Sequence, residues 1–593
     1  MAQTHQKNPD KAAGKAGIAI PRIRRRPWVP RAAGACCSLL GLMNVVSAVT
    51  PSFRVRLSGL TPYIPGALTN AALAATLVAG ILLLLLAQAL RRRKRRAWQA
   101  VVALLTVSVV LHVIKGFYLG EAVLTCLMLV VLVAYRREFY ALGDPRTRWR
   151  ALGVFLLLAA VDTLLGLVIV SIRPGELAGS PGLAARLEHV WYGLVGANGP
   201  LRFPSDRVDD LVTFSLLGLG LLTVLTTAYL VLRSPEPAAR LDPEDEARMR
   251  ELLAREGRRD SLGYFALRRD KSVIWSPTGK SCIAYRVVSG VMLASGDPLG
   301  DYEAWPGAIK RFLDEADRHA WVPAVMGCSE LGGEVWTREG GLDALEIGDE
   351  AIVEVDDFTL EGRAMRNVRQ MVNRIERQGY SCQVRRVRDI PAEEKQLAAQ
   401  QAAAWRGTET ERGFSMALGR IGDPQDDECV VVMAKRDGVL RAFLHFVPWG
   451  PDGLSLDLMR RDRTADPGLN ELLIVAALKA APALGVSRVS LNFAVFRSAL
   501  ERGERLGAGP VLRAWRSLLV FASRWFQIES LYRFNAKFRP VWEPRYLVYP
   551  LTRDVPRIAI AALEAEAFLV MPSLRWLGRH RGGKAAGSPA PVA

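Results

Sequence analysis

The sequence predicts two dissimilar parts, an N-terminal all-α polytopic membrane domain of six helices and a C-terminal α/β domain of two lobes. Long apolar runs occur in residues 1–232, whereas strand-like and helix-like periodicities alternate from residue 241 onwards. Residues 1–232 hold 26 Lys/Arg against 10 Asp/Glu, and residues 233–593 hold 52 against 49. Most of the net charge of +19 therefore belongs to the membrane part and is no evidence that the rest binds nucleic acid.

The membrane domain is predicted at residues 32–232, after a basic cytoplasmic tail at residues 1–31. Most of its apolar runs are near the length of about 20 residues that a bilayer core requires. They lie at 32–50, 67–90, 97–114, 119–135, 151–172 and 211–232. Arg and Lys number 19 in the tail, 91–96 and 136–150, but 7 in 51–66, 115–120 and 173–210. We therefore expect a multi-pass plasma-membrane protein with its N- and C-termini in the cytoplasm.

Two features of this part admit a second interpretation. The run RRRKRR at 91–96 has the composition of a nuclear-localisation or nucleic-acid patch, but its place between two apolar spans favours a cytoplasmic loop. His112 and Asp162 lie inside predicted spans, where ionisable groups are costly and often functional. A buried, hydrogen-bonded structural role explains them equally well, so we place no site there.

A linker at 233–240 leads into a helix start at Asp242-Pro243, with acidic residues in the first turn. Beyond it the elements fill a first lobe at 241–390 and a second, catalytic lobe at 391–555, followed by a C-terminal helix and disordered basic tail at 556–593. Strands are predicted at 272–275, 281–288, 291–295, 351–355, 382–388, 429–434, 439–447 and 453–459, and helices at 302–320 and 360–378.

A strand–helix–strand unit at 455–493 organises the second lobe. Residues 455–459 alternate as a strand, 468–480 have apolar residues at helical spacing, and 486–493 alternate again after Gly485. A crossover of this length predicts two parallel strands, and ligands of open α/β sheets bind at the carboxyl ends of strands. Asp457 and Arg460 lie at such an end and are candidate site residues. An ion pair that closes the strand is the alternative interpretation.

The predicted helix at 360–378 has two different faces. Ala364, Met365, Val368, Met371, Val372 and Ile375 share its apolar face. Four arginines, Arg363, Arg366, Arg374 and Arg377, cluster opposite. They predict contact with phosphates of a nucleic acid or a lipid surface, and an ordinary solvated face is the alternative.

Several kinds of site are not indicated. The seven cysteines show no metal-ligand spacing, and we expect neither disulfides nor zinc. There is no Gly-rich phosphate loop before a helix, no nucleophile elbow and no zinc-binding helix motif. We therefore expect an activated donor that is bound through side chains, without a cofactor.

Residues 260–550 contain a set of segments that together are specific, although each alone is weak. They are Asp270-Lys271, Gly296-Asp297-Pro298-x-Gly300, Phe358-x-Leu360-x-Gly362 with Arg366 and Arg369, Trp405, Gly413-Phe414-Ser415, Asp457-Leu458-Met459-Arg460 and LYRFNAKFRPVWEPRYLVYP at 531–550. In these segments the sequence resembles the catalytic domain of the phosphatidylglycerol lysyltransferase family, also known as multiple peptide resistance factor. The resemblance is especially close to the actinobacterial form, in which a lysyl-tRNA synthetase follows the transferase. Since the sequence ends at Ala593, we expect a separate lysyl-tRNA synthetase to supply the donor.

The resemblance implies two tandem acetyltransferase-like lobes and transfer of an aminoacyl group, expected to be lysyl, from aminoacyl-tRNA to the glycerol hydroxyl of phosphatidylglycerol. Such transfer lowers the negative charge of the membrane and gives resistance to cationic antimicrobial peptides. The implied partners are aminoacyl-tRNA, phosphatidylglycerol and the lipid bilayer, and a homo-oligomer stays open. The alternatives are another amino acid or acceptor lipid, or a non-catalytic lipid- or RNA-binding membrane protein.

The resemblance also implies roles for individual residues. Asp457 would recognise the amino group of the donor or assist deprotonation, and Arg460 would orient Asp457 or hold a phosphate. Glu501 is a second acid candidate. Lys537 and Arg539, flanked by aromatic residues, would bind the phosphate of the lipid or the terminal phosphates of the tRNA. A packed basic and aromatic surface strip is the alternative for these last two residues.

Overall fold

A computed structural model describes residues 28–49, 66–114, 119–141, 147–171, 181–197, 199–203, 205–232, 236–237, 239–406, 413–495 and 528–569. The chain divides into two compact units, 1–235 and 236–593. The two predicted terminal tails lie mostly outside the described residues, as does Glu501.

The first unit is helical. Each of the six predicted apolar runs forms a helix: α1 (Trp28–Val49), α2 (Gly66–Arg91), α3 (Arg95–Ile114), α4 (Leu119–Ala134), α5 (Thr147–Ser171) and α7 (Asp206–Leu232). A shorter helix that we did not predict, α6 (Leu183–Leu194), lies between the last two. Its Leu183 and Trp191 side chains are exposed, whereas its His189 and Val190 side chains are buried.

Among the described residues of this unit, three helical stretches are long and apolar enough to cross a membrane: 28–46, 151–171 and 208–231. Two shorter apolar stretches, 77–91 and 125–134, accompany them. The membrane character of the unit thus rests on about three spans, fewer than the six predicted from the apolar runs.

A close glycine contact and a buried polar pair are among the contacts between these helices. A Cβ on Gly41 of α1 would lie 2.8 Å from the carbonyl oxygen of Gly80 in α2, so the two backbones touch where both residues are glycine. Thr223 of α7 donates a hydrogen bond of 2.7 Å to Asp162 of α5, and both side chains are buried. This contact gives Asp162 a structural role, whereas the His112 side chain lies outside the described part.

The second unit alternates helices with strands, and the α/β class predicted for it is confirmed. Its helices are α8 (Pro243–Glu256), α9 (Trp305–His319), α10 (Glu330–Gly340), α11 (Arg366–Arg377), α12 (Ala392–Trp405), α13 (Leu469–Ala480), α14 (Ile528–Ala536) and α15 (Val555–Ala565). Its strands are β1 (Ser272–Trp275), β2 (Ser281–Val288), β3 (Val291–Ser295), β4 (Leu299–Gly300), β5 (Val322–Cys328), β6 (Asp343–Glu354), β7 (Tyr380–Arg386), β8 (Val430–Arg436), β9 (Val439–Trp449), β10 (Gly453–Arg461), β11 (Arg488–Val495) and β12 (Val541–Tyr549).

All the described strands belong to one sheet, in the order β1-β2-β3-β5-β12-β6-β11-β10-β9-β8-β7, with β4 beside β2. β12, late in the chain, inserts between β5 and β6 and is antiparallel to both. β7 precedes the predicted lobe boundary at residue 390 yet pairs with β8, which follows it. The sheet runs without a break from its first half, β1–β5, through β12 to its second half, β6–β11. The predicted lobe boundary itself stays a prediction.

Helix α11 begins later than the sequence predicted. The helix starts at Arg366, and Gly362 before it has φ of +80°, so Arg363 lies in a turn that precedes the helix. Met365, Val368, Val372 and Ile375 are buried, as predicted, but Ala364 is exposed and does not share the apolar face. The buried side chains pack with α13 in one core on the second half of the sheet, which places α11 beside the strand–helix–strand unit.

Candidate functional site

The candidate site is a cleft between β10 and β11. These strands are parallel, as predicted, but pair only over Gly453–Ser455 and Arg488–Ser490. β10 then continues along β9 as far as Arg461, and β11 continues along β6 as far as Val495. Each strand is irregular where the two separate, β10 between Leu456 and Leu458 and β11 between Ser490 and Phe493. Bulges of this kind redirect side chains beside active sites.

Asp457 lies in the irregularity of β10. Leu458 is in register with His445 of β9, so Asp457 is the extra residue. The side chain of Asp457 is only 2% exposed. Its Oδ1 accepts a hydrogen bond of 2.6 Å from the backbone amide of Leu418, and its Oδ2 lies 2.6 Å from Nδ1 of His445. The carboxylate is thus held inside the protein by two contacts.

His445 completes a buried charged pair that the sequence interpretation missed. Its side chain is fully buried. Burial by itself lowers the pKa of His445, but the hydrogen bond with Asp457 and the neighbouring Cys429 thiol raise the pKa to about 10. The contact with Asp457 therefore favours the protonated form of His445. The signal in the sequence is one polar residue in the apolar strand 443–447, but only the hairpin register shows that it faces Asp457.

Arg460 and Glu501 are the other two residues that the sequence predicted for this site. The Arg460 guanidinium is half-buried, and its Nη1 donates to the carbonyl of Met459 at 3.3 Å. Leu418 and His445 contact Asp457, and the role of Arg460, to orient Asp457 or to hold a phosphate, stays a prediction. Glu501 lies outside the described residues, and its role stays a prediction.

The N-terminus of α13 opens at the same end of β10. Gly468 precedes the helix with φ of +111°, and a Cβ there would lie 2.5 Å from the sulfur of Met371, so the position requires glycine. Arg374 donates a hydrogen bond of 2.6 Å to the carbonyl of Pro467. Lys537 contacts Glu471, in the first turn of α13, at 2.7 Å. The structure thus brings two predicted phosphate-binding residues to one helix N-terminus, where backbone amides attract anions.

The other predicted basic residues are exposed. Arg363, Arg366 and Arg377 make no ion pair with any residue in the described ranges, and the same holds for Arg374. Arg539 is also exposed, at a backbone φ of +53°. The row on α11 and the turn before it is therefore cationic without neutralising carboxylates, as contact with phosphates requires.

The comparison with known families covers both units. Residues 250–549 match the family described as phosphatidylglycerol lysyltransferase, C-terminal. The chain belongs to this family. The resemblance found in the sequence is thereby confirmed. Residues 25–232 match a second family, described as the transmembrane region of lysyl-tRNA synthetase, so the phosphatidylglycerol lysyltransferase domain follows a membrane region.

Two similar proteins are the lysylphosphatidylglycerol biosynthesis bifunctional protein LysX of Rhodococcus opacus, 41% identical over 93% of this chain, and that of Mycobacterium tuberculosis, 42% identical over 94%. The alignments cover 50% and 48% of those proteins, so the chain spans about half their length. The structure of L-PGS from Bacillus licheniformis is 24% identical, covers 56% of this chain and 99% of that chain, and has a TM-score of 0.49.

Lys271 is fully buried. It belongs to one of the segments in which the sequence resembles the phosphatidylglycerol lysyltransferase family. It donates hydrogen bonds to the carbonyl of Phe265 at 3.0 Å and to Ser295 Oγ at 2.6 Å, and it lies 4.6 Å from the ring centre of Phe414. Burial, together with the nearby Arg268, lowers the pKa of Lys271 to about 7. Unfolding therefore takes up a proton between about pH 7 and pH 10.5, and this lysine contributes a stability that increases with pH across that window.

A second buried charged cluster joins the two halves of the sheet. Arg545 of β12 is 3% exposed and donates to Glu350 of β6, to Asp260 at 2.8 Å and to Ser261 at 2.7 Å. Glu350 also accepts a hydrogen bond from Ser490 of β11. Burial disfavours the charge on Arg545, but the carboxylates of Glu350 and Asp260 outweigh it and raise the arginine pKa. The cluster connects β12, β6 and β11 just below the cleft.

Proposed function

We propose that the protein is an integral membrane aminoacyltransferase that moves a lysyl group from lysyl-tRNA to the glycerol hydroxyl of phosphatidylglycerol. Membership of the phosphatidylglycerol lysyltransferase family supports the reaction class. The product carries extra positive charge, which lowers the negative charge of the membrane and would weaken the attraction of cationic antimicrobial peptides.

The observation that carries the proposal is the α13 N-terminus at the mouth of the cleft, flanked by Arg374 and Lys537. A tRNA donor carries phosphates beside its reactive 3′ end, and phosphates bind where backbone amides and cationic side chains meet. The exposed row Arg363, Arg366, Arg374 and Arg377 extends this charge along the surface and would contact further phosphates of the tRNA backbone.

The chemistry requires little beyond positioning. An aminoacyl ester is already activated, so transfer needs the lipid hydroxyl near the ester carbonyl, a group that removes the hydroxyl proton, and stabilisation of the oxyanion. No covalent enzyme intermediate is required. Asp457, with His445 behind it, is our candidate for assisting deprotonation. Arg460, Glu501 and Arg539 are proposed to help bind the two substrates.

The finer architecture is also a proposal. We assign the two halves of the sheet to tandem acetyltransferase-like lobes, and the six apolar helices α1–α5 and α7 to six membrane spans. The count of 19 basic residues against 7 supports cytoplasmic N- and C-termini. Reporter fusions at Asn8 and after Ala593 check this orientation, since activity of a periplasmic reporter at either position contradicts it.

Three alternatives follow from the same site. The donor pocket could suit another amino acid, or the acceptor could be another hydroxyl-bearing lipid. A non-catalytic lipid- or RNA-binding protein would use the basic surface alone. A homo-oligomer is compatible with the proposal.

Mass spectrometry of lipid extracts tests the function. Expression in a host without aminoacylated lipids is expected to produce lysylphosphatidylglycerol, since the host supplies both lysyl-tRNA and phosphatidylglycerol. A different aminoacyl mass identifies another donor, and a different headgroup identifies another acceptor. A lipid profile that equals that of the empty-vector control supports the non-catalytic alternative.

Lys537→Ala is expected to raise the apparent KM for lysyl-tRNA more than it lowers kcat. The change removes a cation from the α13 N-terminus and leaves the Glu471 carboxylate facing the incoming phosphate. Transfer of labelled lysine to phosphatidylglycerol vesicles, measured at increasing salt, provides the test, and added salt should slow the wild type more than the variant. Lys479→Ala, at the other end of α13, is the matched control. An equal rise of KM in both variants would rule out a specific phosphate site.

A further inference from the structure

Two buried oxygen atoms close to the point where β10 and β11 stop pairing have no hydrogen-bond partner among the described residues. They are Oγ of Ser455, which is fully buried, and Oδ1 of Asn492. Ser455 belongs to the last row in which β10 and β11 pair. A buried polar atom without a partner is costly, and proteins retain such atoms where a ligand uses them.

The backbone of Asn492 is unfavourable at the same point. Its φ of +71° lies in the left-handed region, which asparagine tolerates better than most residues, although glycine fits best. The residue occupies the irregular part of β11. Its Nδ2 donates to the carbonyl of Leu456 at 2.7 Å and, at the longer distance of 3.5 Å, to that of Met416. These contacts fix the amide nitrogen and thereby the direction of the unused oxygen.

Each carboxylate oxygen of the neighbouring Asp457 already has one partner, the Leu418 amide for Oδ1 and His445 for Oδ2. A carboxylate oxygen can accept more than one hydrogen bond, so Asp457 keeps the capacity for the deprotonation proposed above. Ser455 Oγ and Asn492 Oδ1, by contrast, have no partner among the described residues.

We propose that Ser455 and Asn492 form a subsite for the α-amino group of the aminoacyl donor, an inference that rests on the proposed function. An amino group presents several N–H donors, and the two oxygens can accept them. The α-amino group is one bond from the carbon next to the ester carbonyl, so holding it at this point also fixes the reacting carbonyl. The role that the family resemblance suggested for Asp457, recognition of this amino group, passes to Ser455 and Asn492.

The test compares two donors, lysyl-tRNA and 6-aminohexanoyl-tRNA, which lacks only the α-amino group. We measure kcat/KM of the full-length protein with each donor and phosphatidylglycerol vesicles. The wild type is expected to favour lysyl-tRNA. In Ser455→Ala the preference is expected to fall by about 10-fold or more, because a hydrogen bond to the amino group is lost while the analogue loses nothing.

Ser281→Ala is the matched control, because Ser281 of β2 is also buried with an unpartnered hydroxyl but lies in the other half of the sheet. It should keep the wild-type preference. Asn492→Gly suits the positive φ and is expected to reduce the preference as well.

Each other outcome overturns the inference. An unchanged preference in Ser455→Ala and Asn492→Gly removes the subsite. A raised KM for phosphatidylglycerol with the donor preference unchanged assigns the two oxygens to the lipid hydroxyl. If the wild type transfers neither amino acid, the proposed function fails and the subsite with it, whereas transfer without discrimination overturns only the subsite.

Discussion

Asp457→Asn is expected to lower the rate of transfer by about 10²–10⁴-fold and also to lower the melting temperature of the protein. The first effect is the loss of a positioned acid–base group. The second arises because the buried His445 loses the carboxylate partner that favours its protonated form. Breaking a buried ion pair by removing one partner costs about 3–5 kcal/mol. Transfer assays and thermal unfolding of the full-length protein in detergent measure the two effects.

The double variant His445→Gln, Asp457→Asn separates the effect on the transfer rate from the effect on stability. Removing both charges should recover much of the stability, because no buried charge is left without a partner, whereas transfer should stay low. A double variant with nearly wild-type kcat would show that Asp457 serves only to neutralise His445.

The pH dependence of unfolding provides a further control for this pair. The pKa of His445 in the folded protein, about 10, is above the ordinary value of 6.5 for a histidine. The pair therefore stabilises the fold fully below pH 6.5, and this contribution disappears as the pH rises from 6.5 to 10. The decrease should be absent in the double variant.

Arg545→Met is expected to reduce the free energy of unfolding by about 3–5 kcal/mol. Methionine fills much of the space but leaves the carboxylates of Glu350 and Asp260 buried without the cation they share. Thermal unfolding of the full-length protein measures the loss. Arg338→Met, which removes a 61%-exposed guanidinium that pairs with Glu339, is the matched control and should change the free energy far less, because solvent screens this pair.

Adding Glu350→Gln to Arg545→Met should recover part of the loss, because one of the unpaired carboxylates becomes a neutral amide. If Arg545→Met is as stable as the control, the cluster contributes nothing to the fold. In that case the cluster, to which Ser490 of β11 is linked through Glu350, would not act as a rigid base for the cleft.

The local elements of the second unit could be predicted from the sequence, but their long-range pairing could not. Periodicity and turn residues located β2, β3 and the unit β10–α13–β11 to within about two residues. The insertion of β12 between β5 and β6 depends on a partner about 200 residues away in sequence, which no local pattern reports. For the same reason the sequence identified Asp457 but not His445, because only the β9–β10 register brings them together.

The basic residues show the same division. The arginine row before and along α11 could be recognised from helical spacing, and four of its predicted apolar partners are buried. The convergence of Arg374 and Lys537 on the α13 N-terminus could not be predicted from the sequence, because it joins three segments that are far apart in the chain. Ser455 and Asn492 were overlooked since a serine and an asparagine in strands carry no distinctive spacing.

The late position of β12 has a consequence for synthesis of the chain. Until residues 541–549 leave the ribosome, β5 and β6 each present an unpaired edge, because β12 is the strand between them. Such edges pair readily with other chains. Closure of the sheet is therefore a late, non-local event, and contacts of this kind fold slowly. A nascent chain that stalls before residue 541 would expose two aggregation-prone edges, so the first half of the sheet must wait for the last strand.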